Sequence, residues 1–206
     1  MFEGLLRFKP SAVLLAIVVA ANTMTSETSA AEPTQPQDFD SDPILIKLWP
    51  EGKTGRGYKL IYLIDAPVDV VWRFKTDFDN QILLSNKYIT SHQLISRNQN
   101  EVVTENEYSN NPGLKFKWQT TLFPDQHLLN YVLLNPEECG QTYHHGSIQM
   151  EAVGNRTRVT QVAYFNFFGV SFWAGYPFKG GMSYFLKYTA AWEQQAVLDT
   201  PDKNQE

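Results

Sequence analysis

His144 and His145 are the residues of this chain best suited to acid–base or metal chemistry. Imidazole titrates near neutrality and is a common metal ligand. If the surrounding segment is a strand, the two side chains point to opposite faces. They then do not jointly ligate one metal unless Gly146 introduces a bulge, and at most one of them faces an interior. Glu105 and Glu107 stand two apart, share a strand face, and would serve as acid and base if that face were inward. Unpartnered buried carboxylates are costly, so both are expected in solvent. Cys139 is the single cysteine and lies in the turn-like run Asn135-Pro136-Glu137-Glu138-Cys139-Gly140. Alone, it makes neither an intramolecular disulfide nor a multi-cysteine metal site. No Gly-rich phosphate loop opens a helix, and no nucleophile-elbow sequence occurs. The chain is therefore expected to carry no catalytic constellation, no metal and no cofactor. Asn155-Arg156-Thr157 fits an N-glycosylation acceptor, which matters only in a eukaryotic secretory pathway.

The elements that must position these residues are mostly strands. Gly57–Asp65 is dense in β-branched and aromatic residues and reads as a strand. Pro67 follows, at the first position of a helix over Val68–Lys75 whose buried side is Val68, Val71 and Trp72. Gln81–Ser85 reads as a second short helix. Strands are then expected over Ile89–Ser96, Glu101–Ser109, Lys115–Phe123, His127–Leu134, Gln141–Val153 and Arg156–Phe167, joined by short turns into an antiparallel meander. Phe116, Trp118, Thr120 and Leu122 share one face of their strand. A sheet of this length curls, and its concave face needs a cover. The cover is a long C-terminal helix starting at Met182, with Met182, Phe185, Leu186, Trp192, Ala196 and Val197 on its apolar face and Lys187, Glu193 and Gln194 off it.

Between the last strand and this helix runs the aromatic connector over residues 164–178. It suits the rim of an apolar pocket, and its Trp and Tyr would also suit a transient membrane contact. Aromatic residues make up 14% of the chain and the net charge is −5. A mildly acidic chain without a basic cluster is a poor match for nucleic acid.

The run Ile64-Asp65-Ala66-Pro67-Val68-Asp69-Val70-Val71-Trp72, followed by Thr76-Asp77-Phe78-Asp79, resembles the opening of the START-like helix-grip superfamily, which includes polyketide cyclase/dehydrase and lipid-transport relatives. The similarity extends over about Tyr58 to Leu198. It implies an α+β fold: a curved antiparallel sheet wrapped around a long C-terminal helix, with two short helices after the first strand and a cavity between sheet and helix. Members bind lipids, sterols, quinones or polyketides, and a minority are enzymes. Trp118, Thr120, Tyr131, Met150, Tyr164, Met182 and Phe185 are the expected ligand-binding residues. The apolar ones would bury a hydrophobic small molecule, and the hydroxyls would orient its polar group. The alternatives are a cyclase, aromatase or dehydrase acting on a polyketide-like chain, and an interaction domain that docks a partner through the aromatic connector.

The N-terminus reads as an export signal. Arg7 and Lys9 precede the apolar stretch Ser11–Ala21, which is about half the length of a membrane-spanning helix. Small residues at Ser29, Ala30 and Ala31 place cleavage after Ala31, with a cut near Ala21 as the alternative. The removed segment carries Glu3, Glu27, Arg7 and Lys9, which cancel, so the net charge is unchanged. The expected organisation is a signal peptide over 1–31, a disordered Pro- and Gln-rich leader over 32–43, the helix-grip domain over 44–200 and a disordered tail over 201–206. The mature protein is expected to be a secreted or periplasmic monomer.

Overall fold

The computed structural model describes residues 42–52, 54–109, 111–167 and 181–200, leaving aside the side chains of Phe167 and Met182. The expected signal peptide, most of the leader, most of the aromatic connector and the tail lie outside the described residues.

Eight antiparallel strands form one sheet, in the order β1-β2-β8-β7-β6-β5-β4-β3. They are β1 (Ile44–Leu48), β2 (Arg56–Ile64), β3 (Ile89–Asn98), β4 (Glu101–Tyr108), β5 (Lys115–Phe123), β6 (Leu128–Leu133), β7 (Gln141–Val153) and β8 (Arg156–Phe167). Helix α1 (Val68–Thr76) and a 3-10 turn over Gln81–Ser85 separate β2 from β3, and helix α2 (Gly181–Asp199) follows β8. The sheet is curved and holds the C-terminal helix.

Strand parity builds the core. Along β2, Tyr58, Leu60, Tyr62 and Ile64 are buried on one face, and along β8 Val159, Ala163 and Phe165 join them. Leu186, Ala190 and Val197 of α2 pack into the same cluster. Burying a large aliphatic or aromatic side chain contributes about 1.5–3 kcal/mol, so this shared layer ties the helix to the sheet. Thr157 is 0% exposed, and its hydroxyl donates to the Ala66 carbonyl at 2.7 Å, fixing the turn that leads into α1.

Several expectations change in detail. β1 adds a strand at the edge of the sheet, where it pairs with β2 alone. Its sequence lies between Pro43 and Pro50 and has weak alternation. Pro67 caps α1 from outside, in extended backbone with ψ 152°, and does not begin it. Glu193 is not on a polar face of the C-terminal helix: it is buried, because α1 and β2 bring partners to it.

Candidate functional site

A cavity of about 310 Å³ lies between the inner face of the sheet, α1, the Gln81–Ser85 turn and α2. Its walls are mainly aromatic and aliphatic: Phe116 and Trp118 of β5, Phe165 of β8, Phe185 and Leu186 of α2, and Phe74 of α1 are among them.

Of the expected binding residues, Trp118, Thr120, Tyr131 and Phe185 line this cavity. Met150 does not. It is 1% exposed and is spent in the core cluster with Val159 and Val71. Tyr164 is also not in the wall. It pairs in register with Gly57 and His145, and since Ala163 and Phe165 point inward, parity turns Tyr164 to the opposite face. The side chain of Met182 lies outside the described residues.

The histidines separate as the strand geometry requires. His144 lines the cavity, while His145 lies against Tyr164 and Tyr143 on the other face, with ring centroids at 5.6 and 5.7 Å. No register shift falls at Gly146; the β7–β8 register shifts between Gln141 and Tyr143. This shift places Gln141 and His144, three residues apart, in the same cavity wall. Gly146 has a different task. A Cβ there would come within 2.0 Å of the Val162 carbonyl and 2.5 Å of the Tyr131 hydroxyl. Its missing side chain lets the Tyr131 ring cross β7 and donate to the Val162 carbonyl at 3.1 Å.

His144 sits among rings: Trp118 at 4.8 Å, Phe165 at 5.1 Å and Tyr131 at 6.3 Å. Burial, with a smaller contribution from His145, pushes its pKa down to about 3. The imidazole is therefore neutral at pH 7 and too weak a base to abstract protons efficiently. Its Nδ1 lies 3.1 Å from Gln141 Oε1. Burial likewise raises the pKa of Tyr131 and Tyr108, so both remain neutral phenols. Trp118 Nε1, Gln141 Nε2 and Thr189 Oγ1 are buried without a hydrogen-bond partner among the described residues. Trp118 Nε1 is turned toward the Tyr108 hydroxyl without reaching hydrogen-bond geometry.

Further polar groups face the cavity that were not singled out from the sequence, His92 and the Lys75–Glu193 pair among them. His92 contacts Asn106 Oδ1 through Nδ1 at 2.7 Å and the Phe78 carbonyl through Nε2 at 2.8 Å. This ties the loop after α1 to the sheet. Lys75 of α1 and Glu193 of α2 form an ion pair at 2.6 Å, and Tyr62 of β2 donates to the same carboxylate at 3.0 Å. Burial first, and then Glu193, raises the Tyr62 pKa well above its ordinary value. Periodicity predicts which residues share a face of one element. It carries no sign that Lys75 and Glu193, 118 positions apart, would meet.

The remaining candidates lie off the site. Glu105 pairs with Lys115 at 2.8 Å, and Glu107 accepts from the Gly113 amide at 2.8 Å on the exposed side. Cys139 is 2% exposed. Burial and then Glu138 push its thiol up to about 11, which leaves little reactive thiolate at neutral pH. Among the described residues no group of three or more His, Cys, Asp or Glu is placed to hold a metal, and no helix is long and apolar enough to cross a membrane.

The strand order, the position of the last helix and the cavity between them can be set against solved structures. The Zhui aromatase/cyclase of Streptomyces sp. R1128 matches with a TM-score of 0.54 at 13% identity, covering 70% of this chain and 94% of that one. A START superfamily protein of Mycobacterium smegmatis matches with a TM-score of 0.53 at 11% identity, covering 69% and 97%. The fold is START-like. Norcoclaurine synthase of Thalictrum flavum, solved with dopamine and hydroxybenzaldehyde, shares this START-like fold with a TM-score of 0.54 at 12% identity, covering 79% and 91%. No protein-family model and no curated protein matches the chain. At these identities the likeness is one of fold.

Proposed function

We propose that this protein is an exported binding protein that holds a hydrophobic small molecule in the cavity between sheet and C-terminal helix. The observation that carries the reading is the cavity itself: about 310 Å³, walled mainly by aromatic and aliphatic side chains, within the range of small-molecule sites. The export signal at residues 1–31 supports placement outside the cytoplasm. The aromatic connector over residues 164–178 would be the point of any transient membrane contact.

The experiment is native mass spectrometry of protein purified from its own host compartment. A discrete extra mass that is lost on denaturation supports the reading and identifies the ligand. A bare mass, with no binding of apolar compounds added afterwards, counts against it.

A second reading, a cyclase-, aromatase- or dehydrase-type enzyme, draws on the titratable groups of the same cavity and on the aromatase/cyclase among the structural neighbours. Three observations weigh against it. His144 is held neutral by burial, Lys75 and Glu193 are occupied with each other, and Glu105 and Glu107 lie on the opposite face of the sheet from the cavity.

A further inference from the structure

The bulge in β7 leaves open hydrogen-bonding capacity in the cavity wall. Gln141 is 0% exposed, yet its Nε2 has no partner among the described residues. Its Oε1 faces His144 Nδ1 at 3.1 Å, and this is the only hydrogen bond of the His144 side chain among the described residues. Buried polar groups are nearly always paired, and leaving one unpaired is costly, so an unpaired group that faces a cavity calls for a partner within it.

In either orientation of the amide, the Gln141–His144 pair presents one donor and one acceptor. With Oε1 toward Nδ1–H, Gln141 Nε2 donates and His144 Nε2 accepts. With the amide turned over, His144 Nε2–H donates and Gln141 Oε1 accepts. We infer that the ligand is a neutral, compact ring compound bearing a hydroxyl, and that this hydroxyl seats on Gln141 and His144. The inference rests on the binding reading above and narrows it to a chemical class.

A hydroxyl donates and accepts at once, so it completes both open positions whichever way the amide lies. A carboxylate or phosphate only accepts, and it brings charge to a lining with no cation to spare. Lys75 is the one Lys or Arg among the described lining residues, and it is joined to Glu193 at 2.6 Å. The rings of Trp118 and Phe165 beside His144 supply flat apolar surface for a ring skeleton. A cavity of about 310 Å³ stands at the low end of small-molecule sites, which suits one to three rings better than a two-chain lipid.

Three probes separate these possibilities. 2-Naphthol, 2-methylnaphthalene and 2-naphthoate share a ring system and differ in one substituent. Calorimetric titration of the full chain at pH 7 is expected to give 2-naphthol roughly tenfold tighter binding than 2-methylnaphthalene, the equivalent of one or two net hydrogen bonds. 2-Naphthoate is expected to bind weakest. Gln141→Leu and His144→Phe should each bring the naphthol preference down to about unity while keeping 2-methylnaphthalene binding, which also reports that the variant is folded. Equal affinity of the wild type for naphthol and methylnaphthalene overturns the inference and leaves the binding reading standing. So does a preference that survives in both variants. Tightest binding of 2-naphthoate overturns it in favour of an acidic ligand. Failure of all three probes to bind overturns the binding reading and the inference with it.

Discussion

Two polar regions at the cavity are built in opposite ways. Where α1, α2 and β2 meet, Lys75, Glu193 and Tyr62 are charged or strongly polar and satisfy one another through short bonds. On the wall formed by β5, β6 and β7, Trp118, Gln141 and His144 are neutral; Trp118 and Gln141 leave donors unused, and the second ring nitrogen of His144 has no partner among the described residues. The first arrangement is what a protein needs to hold two helices on a sheet, since a buried charge must be compensated. The second serves stability poorly, and its open capacity is available to a bound molecule. Polarity inside a cavity is therefore not by itself a sign of a site. The distinction lies in whether the groups have completed their hydrogen bonds within the fold.

Breaking the closed region should have the largest effect. Glu193→Ala strands a partly buried Lys75 and the buried Tyr62 hydroxyl, and is expected to lower the unfolding free energy by about 3 kcal/mol, read from urea denaturation. Glu193→Gln, which keeps an acceptor for Tyr62, should lose less.

Gly146→Ala tests how the open wall is shaped. The new Cβ meets the Val162 carbonyl and Tyr131, so the ring must leave its place across β7. A loss of about 1–3 kcal/mol is expected from overpacking, together with weaker binding of any apolar probe.

The third test uses pH. The folded state holds His144 near pKa 3, against 6.5 for an ordinary histidine. Between these values the unfolded chain binds the proton that the folded chain refuses, so stability falls as pH drops from about 6.5 toward 3. The slope is up to about 1.4 kcal/mol per pH unit. His144→Phe should remove this contribution, seen by comparing denaturation midpoints at pH 7 and pH 4.5. If both proteins lose the same stability on acidification, His144 is not the neutral, desolvated group described above.

Gln141→Leu should change the stability of the ligand-free protein by no more than about 1 kcal/mol, because the amide it removes is half unpaired. A loss as large as that of Glu193→Ala would erase the contrast between the two regions. Smallest of all is Glu105→Ala, which removes one half of an ion pair with the exposed Lys115. Its effect should fall within the scatter of repeated denaturation midpoints.

Much of the fold was legible because strands declare themselves locally. The alternation in Lys115–Phe123 places Phe116, Trp118, Thr120 and Leu122 on the inner face, and the opening around Ala66-Pro67 marks the strand-to-helix transition. The site was legible in part, for the same reason. Trp118 and Thr120 follow from parity and, with Tyr131, line the cavity. Tyr164 was misplaced because its inward orientation was assigned without a pairing register, and the pairing with Gly57 and His145 turns it outward. Met150 was placed on the correct face but deeper than the cavity, a distinction that a period of two residues does not encode.

The sequence alone determined the periodicities: which segments after β1 are strands, which face of a clearly alternating strand is apolar, and that the two adjacent histidines part to opposite sides. These follow from the backbone geometry of one element at a time. Only the tertiary structure decided that a register shift in β7 brings Gln141 beside His144, that Gly146 makes room for Tyr131, and that Lys75 meets Glu193 in the cavity wall. Each depends on groups far apart in the chain, and their approach is set by the packing of all the elements together.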